Sequence, residues 1–218
     1  MHMDNVRKLM ELLKNYDINV WKHSIFVMKF SFEIMKKLDL HKKDVTNILI
    51  GSLLHDIGKL KICKEIINKP GKLDIDEWDE IKRHPTYGGS IINQYEINSE
   101  ILPLILYHHE RWDGKGYYGL AGKHIHFGAR VIAIADSVEA MSSQRPYQNM
   151  KKTKEIFMEL LNSRGSQFDP DLINQLFKIE SNNQLIFSKN LVKEQGILEK
   201  LISVSRNFNS NIFYSEGY

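Results

Sequence analysis

Apolar residues recur along this chain at helical spacing and almost never in the alternation of a strand. Val20, Val27, Phe30 and Ile34 share one helical face, and Lys36 and Lys37 stand near the end of that segment, where cations complement the helix dipole. That helix would carry His23. Asp44 is the expected N-cap of a helix from Val45 to Leu54 that delivers His55 and Asp56 at its end. Pro70-Gly71 marks a turn, after which Asp74 and Glu77 form a capping-box pattern for a helix bearing Trp78, Ile81 and His84. Pro85 should perturb or restart that helix, because its ring lacks an N–H and crowds the preceding turn. Pro103 lies near the start of an apolar helix that ends in His108-His109, and the Gly-rich stretch from Asp113 to Gly122 is expected to be an irregular, flexible loop. Phe127 to Ala140 predicts a buried helix carrying Asp136, and Asp169-Pro170 an N-cap followed by proline at the first helical position. The pattern is all-α.

Beyond that, Lys189 to Ser205 is amphipathic through Leu191, Ile197, Leu198, Leu201 and Ile202. It is expected to complete the core, with a dimerisation surface as the alternative. Asn207 to Tyr218 has the composition of a partly disordered end. No internal repeat or low-complexity tract interrupts the chain.

Composition sets limits. A chain of 218 residues is long enough for one sizeable core. The formal net charge of +3 does not mark a binder of polymeric nucleic acid, although an anionic nucleotide would still favour locally placed Lys and Arg. A single cysteine, Cys63, excludes an intramolecular disulfide framework and fits a reducing cytoplasm. No apolar run reaches the roughly 18 to 20 residues of a membrane span, and the N-terminus lacks a signal-peptide layout. A cytoplasmic protein without membrane attachment is expected.

The chemistry lies in His55-Asp56, His84, His108-His109 and Asp136. A His-Asp dipeptide alone is common at helix ends, and His84 beside Pro85 fits a cap equally well. Two adjacent imidazoles after the apolar segment Ile101 to Tyr107 need partners if buried. Asp136 follows Val131-Ile132-Ala133-Ile134-Ala135, where a carboxylate needs either a metal or a basic partner. Together the residues describe a metal cage assembled from several helices. Nitrogen and oxygen donors in this mixture suit iron, manganese or zinc, whereas magnesium and calcium sites are nearly all oxygen. Metal-assisted hydrolysis is the chemistry to expect.

The run His55-Asp56-Ile57-Gly58-Lys59 is followed by Lys69-Pro70-Gly71-Lys72-Leu73, His84-Pro85 and His108-His109-Glu110-Arg111-Trp112-Asp113-Gly114-Lys115-Gly116-Tyr117. Ala133-Ile134-Ala135-Asp136, Arg145-Pro146-Tyr147 and Gly165 through Phe168-Asp169-Pro170 come next. In this order the sequence resembles the HD-GYP phosphohydrolases, the subgroup of the HD superfamily that degrades cyclic di-GMP. The resemblance runs from about His23 to residue 180. It implies an HD-type helical bundle with a metal site in its core. The catalytic domain would span 1–180, opened by an N-terminal helix over 1–16, with a C-terminal helical extension of unassigned role over 181–218.

By that resemblance the chain is a phosphodiesterase that hydrolyses cyclic di-GMP to pGpG, GMP or both, using a metal-activated hydroxide. Asp56 would bridge two divalent metals, with His23, His55, His84, His108, His109 and Asp136 in terminal positions. Iron or manganese is expected first, and zinc, nickel, cobalt or magnesium are the alternatives. Lys59, three residues beyond Asp56, would place its ammonium against a phosphate oxygen, unless it is a solvated lysine. Arg145 would contact a second phosphate or a guanine. Gly116 and Tyr117 would line the substrate cleft, with Tyr117 stacking on a base, bonding a phosphate or simply packing. Arg111 and Asp113 are expected to be structural, and the loop around Gly116 is a surface a signalling protein would use.

Three departures from the family pattern bear on function. Tyr118-Gly119-Leu120 follows Gly116-Tyr117 as though the signature proline were deleted, which leaves the loop shorter and less stiff. Asn19 stands where members holding three metals have a glutamate, so two metals are expected. Gln148 replaces a basic residue often found after Arg145-Pro146-Tyr147. Two other functions fit the same residues: an HD-superfamily phosphohydrolase for another cyclic dinucleotide or a nucleotide, and a nucleotide-responsive binding module.

Overall fold

The computed structural model describes residues 3–36, 38–143 and 150–181. Arg145, Gln148, the amphipathic segment from Lys189 to Ser205 and nearly all of the 181–218 extension lie outside the described residues.

Helices α1 (Met3–Tyr16) and α2 (Ile18–Met35) are separated by Asp17 alone. Its carboxylate accepts from the backbone N–H groups of Asn19 at 2.7 Å and Val20 at 3.2 Å, so one side chain ends the first helix and caps the second. Val6, Leu9, Met10 and Leu13 form the buried stripe of α1. By contrast α2 is buried on most of its circumference, through residues including Val20, Trp21, Val27, Phe30, Ile34 and Met35.

Helix α3 (Lys42–Leu54) runs through the centre, packed against α1, α2, a short α7 (Leu102–Leu106) and α8 (Phe127–Ser142). From Thr46 to Leu54 every residue is buried. The helix starts earlier than its sequence suggests: His41 is the N-cap, without a side-chain bond, and Asp44 sits inside the first turn. A carboxylate there still complements the N-terminal dipole, so the acid signals the helix start without being the cap. Small residues allow close approach on both sides of α3. Ser52 Oγ donates to Ser31 Oγ of α2 at 3.0 Å, and a Cβ on Gly51 would come within 2.5 Å of Leu104 Cδ2.

After α3 the chain forms a 3-10 turn (Ile57–Lys61) and a one-turn helix α4 (Lys64–Ile67). Helix α5 (Ile75–Lys82) follows with the expected capping box: Glu77 N–H donates to Asp74 at 2.9 Å and Asp74 N–H to Glu77 at 2.9 Å. Pro85 restarts the helix as expected. Arg83 ends α5 and opens α6 (His84–Gln94), so His84 belongs to the first turn of a new helix. The apolar helix at Pro103 is shorter than expected, because α7 stops at Leu106 and leaves His108-His109 in the following turn. Helix α8 is capped by the His126 ring and extends two residues past Ala140, before α9 (Thr153–Asn162) and α10 (Pro170–Ser181). Asp169 Oδ1 accepts from Asp171 N at 2.8 Å, which makes it the predicted cap of α10. Among the described residues no strand forms, and no helix is long and apolar enough to cross a membrane.

Candidate metal centre

The ends of α3, α5 and α7 and the middles of α2 and α8 converge on one point. The last carbonyls of a helix lack the donors that interior ones have, and this chain uses three carbonyls at helix ends to orient imidazoles. His55 Nδ1 donates to Ser52 O at 2.8 Å, His84 Nδ1 to Ile81 O at 2.7 Å and His108 Nδ1 to Ile105 O at 2.8 Å, each three residues back. A carbonyl can only accept, so each Nδ1 carries the proton and each Nε2 presents a lone pair.

Those lone pairs meet. His84 Nε2 lies 3.1 Å from His108 Nε2, and His23 Nε2 lies 3.1 Å from His55 Nε2. Asp56 stands between the two pairs. Its Oδ2 is 3.4 Å from both His23 Nε2 and His55 Nε2, while its Oδ1 is 3.3 Å from His84 Nε2. Asp136 Oδ1 reaches His23 Nε2 at 3.3 Å, and among the described residues no Lys or Arg pairs with it. His109 closes the other half, since ligand atoms of His84, His108 and His109 all lie within 4.8 Å of one another, as do those of His23, His55 and Asp56. The seven residues that the sequence assigned to a cage are thus brought together at one place.

The donor set fits metal ions. With bonds of about 2.1 Å, neighbouring ligand atoms stand roughly 3.0 Å apart in an octahedron and 3.4 Å in a tetrahedron, which is the spacing found here. Burial disfavours a proton on either ring of the His84–His108 contact. Burial, reinforced by Lys59 and His109 against the attraction of Asp56, pushes His84 down to about 3. Burial also holds His108 well below the usual imidazole range, and lowers His55 and His109. Two neutral rings with facing lone pairs repel each other unless a cation lies between them.

His23 is the exception. Burial opposes its charge, but Asp56, Glu139 and Asp136 outweigh burial and raise it to about 9. A proton and a metal ion compete for that nitrogen. Asp56 is buried too, yet Lys59 and the surrounding imidazoles hold its carboxyl well below the usual range, so it stays anionic.

Lys59 does not extend freely into solvent. Its ammonium lies 2.5 Å from Asp56 Oδ2, at the rim of the site. The side chains of Lys59 and Asp136 are 23% and 21% exposed against 3% for Asp56, which puts the mouth of the site on their side.

The loop beyond His109 is irregular, as expected, but it is tied down. Glu110 is buried and accepts from Tyr118 N and Leu120 N, both at 2.6 Å. Arg111 forks onto Asp113 at 3.0 and 2.9 Å, consistent with the structural role expected for both. A Cβ on Gly116 would come within 2.5 Å of Glu110 Cα, so only glycine lets the loop fold back here and lay the Tyr117 ring on His109, centroids 4.8 Å apart. Burial, with Asp136 and Asp56 adding to it, pushes the Tyr117 hydroxyl up to about 12 and keeps it a donor. Asn19 is exposed at the start of α2, with its backbone N–H on the Asp17 cap.

Two functional carboxylates escape a reading of the sequence. Glu139 Oε2 accepts from His23 Nδ1 at 2.8 Å, and Glu110 clamps the loop. The only signal for Glu139 is its position three residues after Asp136 in a segment of otherwise small and apolar residues.

The helical bundle gathers His-Asp, His and His-His from separate elements around Asp56, an arrangement that could hold metal ions. The sequence matches the HD domain family over residues 7–172, and the chain belongs to that family. Relatives bear out its HD-GYP resemblance. A cyclic di-GMP phosphodiesterase of Thermotoga maritima is 36% identical over 181 residues, covering 80% of this chain and 49% of that protein. The 3'3'-cGAMP-specific phosphodiesterase 2 of Vibrio cholerae is 36% identical over 145 residues, 64% of this chain and 27% of that protein. The chain thus spans half or less of the length of these curated relatives. Among solved structures, Bd1817, an HDG"Y"P protein from Bdellovibrio bacteriovorus, shares the fold with a TM-score of 0.61 at 19% identity, covering 74% of this chain and 52% of its own.

Proposed function

We propose that the chain is a metal-dependent phosphodiesterase that hydrolyses cyclic di-GMP to pGpG, GMP or both. The carrying observation is the meeting of His84 and His108, whose Nε2 atoms face each other at 3.1 Å beside the Asp56 carboxylate. In this reading His23, His55, Asp56 and Asp136 hold one divalent ion, and Asp56, His84, His108 and His109 hold a second. Iron or manganese is the native pair that the mixed nitrogen and oxygen donors favour. Bound there, such ions lower the pKa of water and screen the phosphodiester charge.

The remaining work falls to the chain's own side chains. Asp56 keeps both of its oxygens available by staying anionic, one toward each half of the cage. The backbone carbonyls of Ser52, Ile81 and Ile105 fix the tautomers of three imidazoles, so the site is organised before substrate arrives. Lys59, at the mouth, turns its ammonium from Asp56 to a non-bridging phosphate oxygen, and Tyr117 offers a ring face and a hydroxyl donor beside it. Arg145 is assigned the second phosphate or a guanine.

The 3'3'-cGAMP-specific relative keeps a second cyclic dinucleotide in contention. Anaerobically purified protein, loaded with Mn²⁺ or Fe²⁺, should linearise cyclic di-GMP faster than 3'3'-cGAMP and leave nucleoside monophosphates untouched. Exclusive turnover of a rival rejects the substrate assignment. Retained nucleotide binding with no turnover under any metal rejects the enzyme reading in favour of a binding module.

A further inference from the structure

We propose that Glu139 is the positioning residue of the His23 half of the cage, and that Ser143 steadies it. This rests on the two-metal reading above. Of the four cage imidazoles whose Nδ1 partner is described, three sit at or just beyond helix ends and donate to the carbonyl three residues back. His23 stands inside α2, whose carbonyls are already taken by its own N–H groups. The imidazole placed there takes its anchor from another helix instead.

Helix α8 supplies it. Asp136 and Glu139 are three residues apart on one face of α8, and both reach the same ring: Asp136 Oδ1 to Nε2 at 3.3 Å, Glu139 Oε2 to Nδ1 at 2.8 Å. The second oxygen of Glu139 accepts from Ser143 Oγ at 2.6 Å, one further turn along. Glu139 is itself buried, and its negative charge does what a carbonyl does only weakly: it fixes the tautomer and draws the Nδ1 proton away, making Nε2 a stronger donor. His23 is thus tuned by a side-chain carboxylate, whereas His55 of the same half and His84 and His108 of the other are oriented by backbone. The two ions should answer differently to loss of that carboxylate.

Chelator-stripped wild type and the E139Q, E139A and S143A variants are titrated with Co²⁺ against a competing chromogenic chelator, and bound ions are counted. Wild type takes up two. In E139A one ion should keep its affinity while the other weakens about 10- to 100-fold. E139Q should fall between, because its amide oxygen still accepts from Nδ1 without the charge, and it also serves as the fold-preserving variant. S143A should weaken the same ion by less than E139Q does. A bracing role without influence on the metal would lower the melting temperature of every stripped variant and leave both affinities at wild-type values; that result overturns the proposal. Equal weakening of both ions overturns the assignment to His23. Wild type that binds no Co²⁺ overturns the metal reading itself, a failure distinct from the other two.

Discussion

Gly58→Ala isolates the close approach that brings His84 to Asp56. A Cβ at position 58 would lie 1.9 Å from His84 O and 2.5 Å from Gly88 N, where ordinary contact begins at 3.4 Å. Both obstacles are backbone, so no rotamer change relieves them, and the 3-10 turn after Asp56 must part from α6 by roughly 1 to 1.5 Å. Overpacking a core costs about 1–3 kcal/mol when side chains can adjust, and a backbone clash belongs at or above the upper end. At roughly 2–4 °C per kcal/mol for a chain of this size, the melting temperature should fall by about 6–12 °C. The same displacement separates His84 Nε2 from Asp56 Oδ1, now 3.3 Å apart, and should strip one metal ion from the protein. Calorimetry and elemental analysis of one preparation measure both. A variant that melts within about 2 °C of wild type with its full metal content would show that Gly58 is not what sets this spacing.

Other substitutions separate the roles within the site. Asp56→Ala should remove the carboxylate shared by both halves, abolishing turnover and most bound metal; unchanged metal content by elemental analysis would contradict the bridging position. Lys59→Ala should keep the metals and slow turnover roughly a hundredfold, and steady-state kinetics at wild-type rates would return Lys59 to a surface role. Glu110→Ala should leave Tyr118 and Leu120 N–H groups without their acceptor, destabilise the fold by about 1–3 kcal/mol and speed amide exchange across 114–120; unaltered exchange would mean the loop is held by other ties. For metal-stripped protein, stability should fall as pH drops below 6.5. The unfolded chain then binds protons at His55, His84, His108 and His109 that the folded chain refuses, down to about 3 for His84. Each such proton contributes up to about 1.4 kcal/mol per pH unit. His23 acts in the opposite sense, its stabilisation complete below 6.5 and fading as pH rises through about 9. Urea midpoints that stay flat between pH 7 and pH 5, on the order of one titration range, would refute this balance.

Residues whose chemistry is rare were visible in the sequence, and residues whose chemistry is common were not. His55-Asp56, His84, His108-His109 and Asp136 stand out because imidazoles and carboxylates in apolar segments demand partners. Glu139 and Glu110 look like any other glutamates, since their roles depend on which helix packs opposite and on where a loop turns back. Helix existence followed from apolar spacing, but ends were displaced where two signals compete. Asp44 marks the start of α3 without capping it, and Asp17 divides α1 from α2 although the apolar pattern runs on either side. The short α7 reflects Pro103 near its start and the demand of His108 for the Ile105 carbonyl at its end, a tertiary requirement that local propensity does not record.

Three of the cage's rings are anchored by main-chain oxygen, a group that all twenty amino acids carry. Mutation at positions 52, 81 or 105 can alter the side chain and still leave His55, His84 and His108 aimed as before. Inheritance therefore protects that part of the centre without conserving the letters that hold it. Among the four ring anchors described, only the one on His23 is a side chain, the Glu139 carboxylate, that a single codon change can remove.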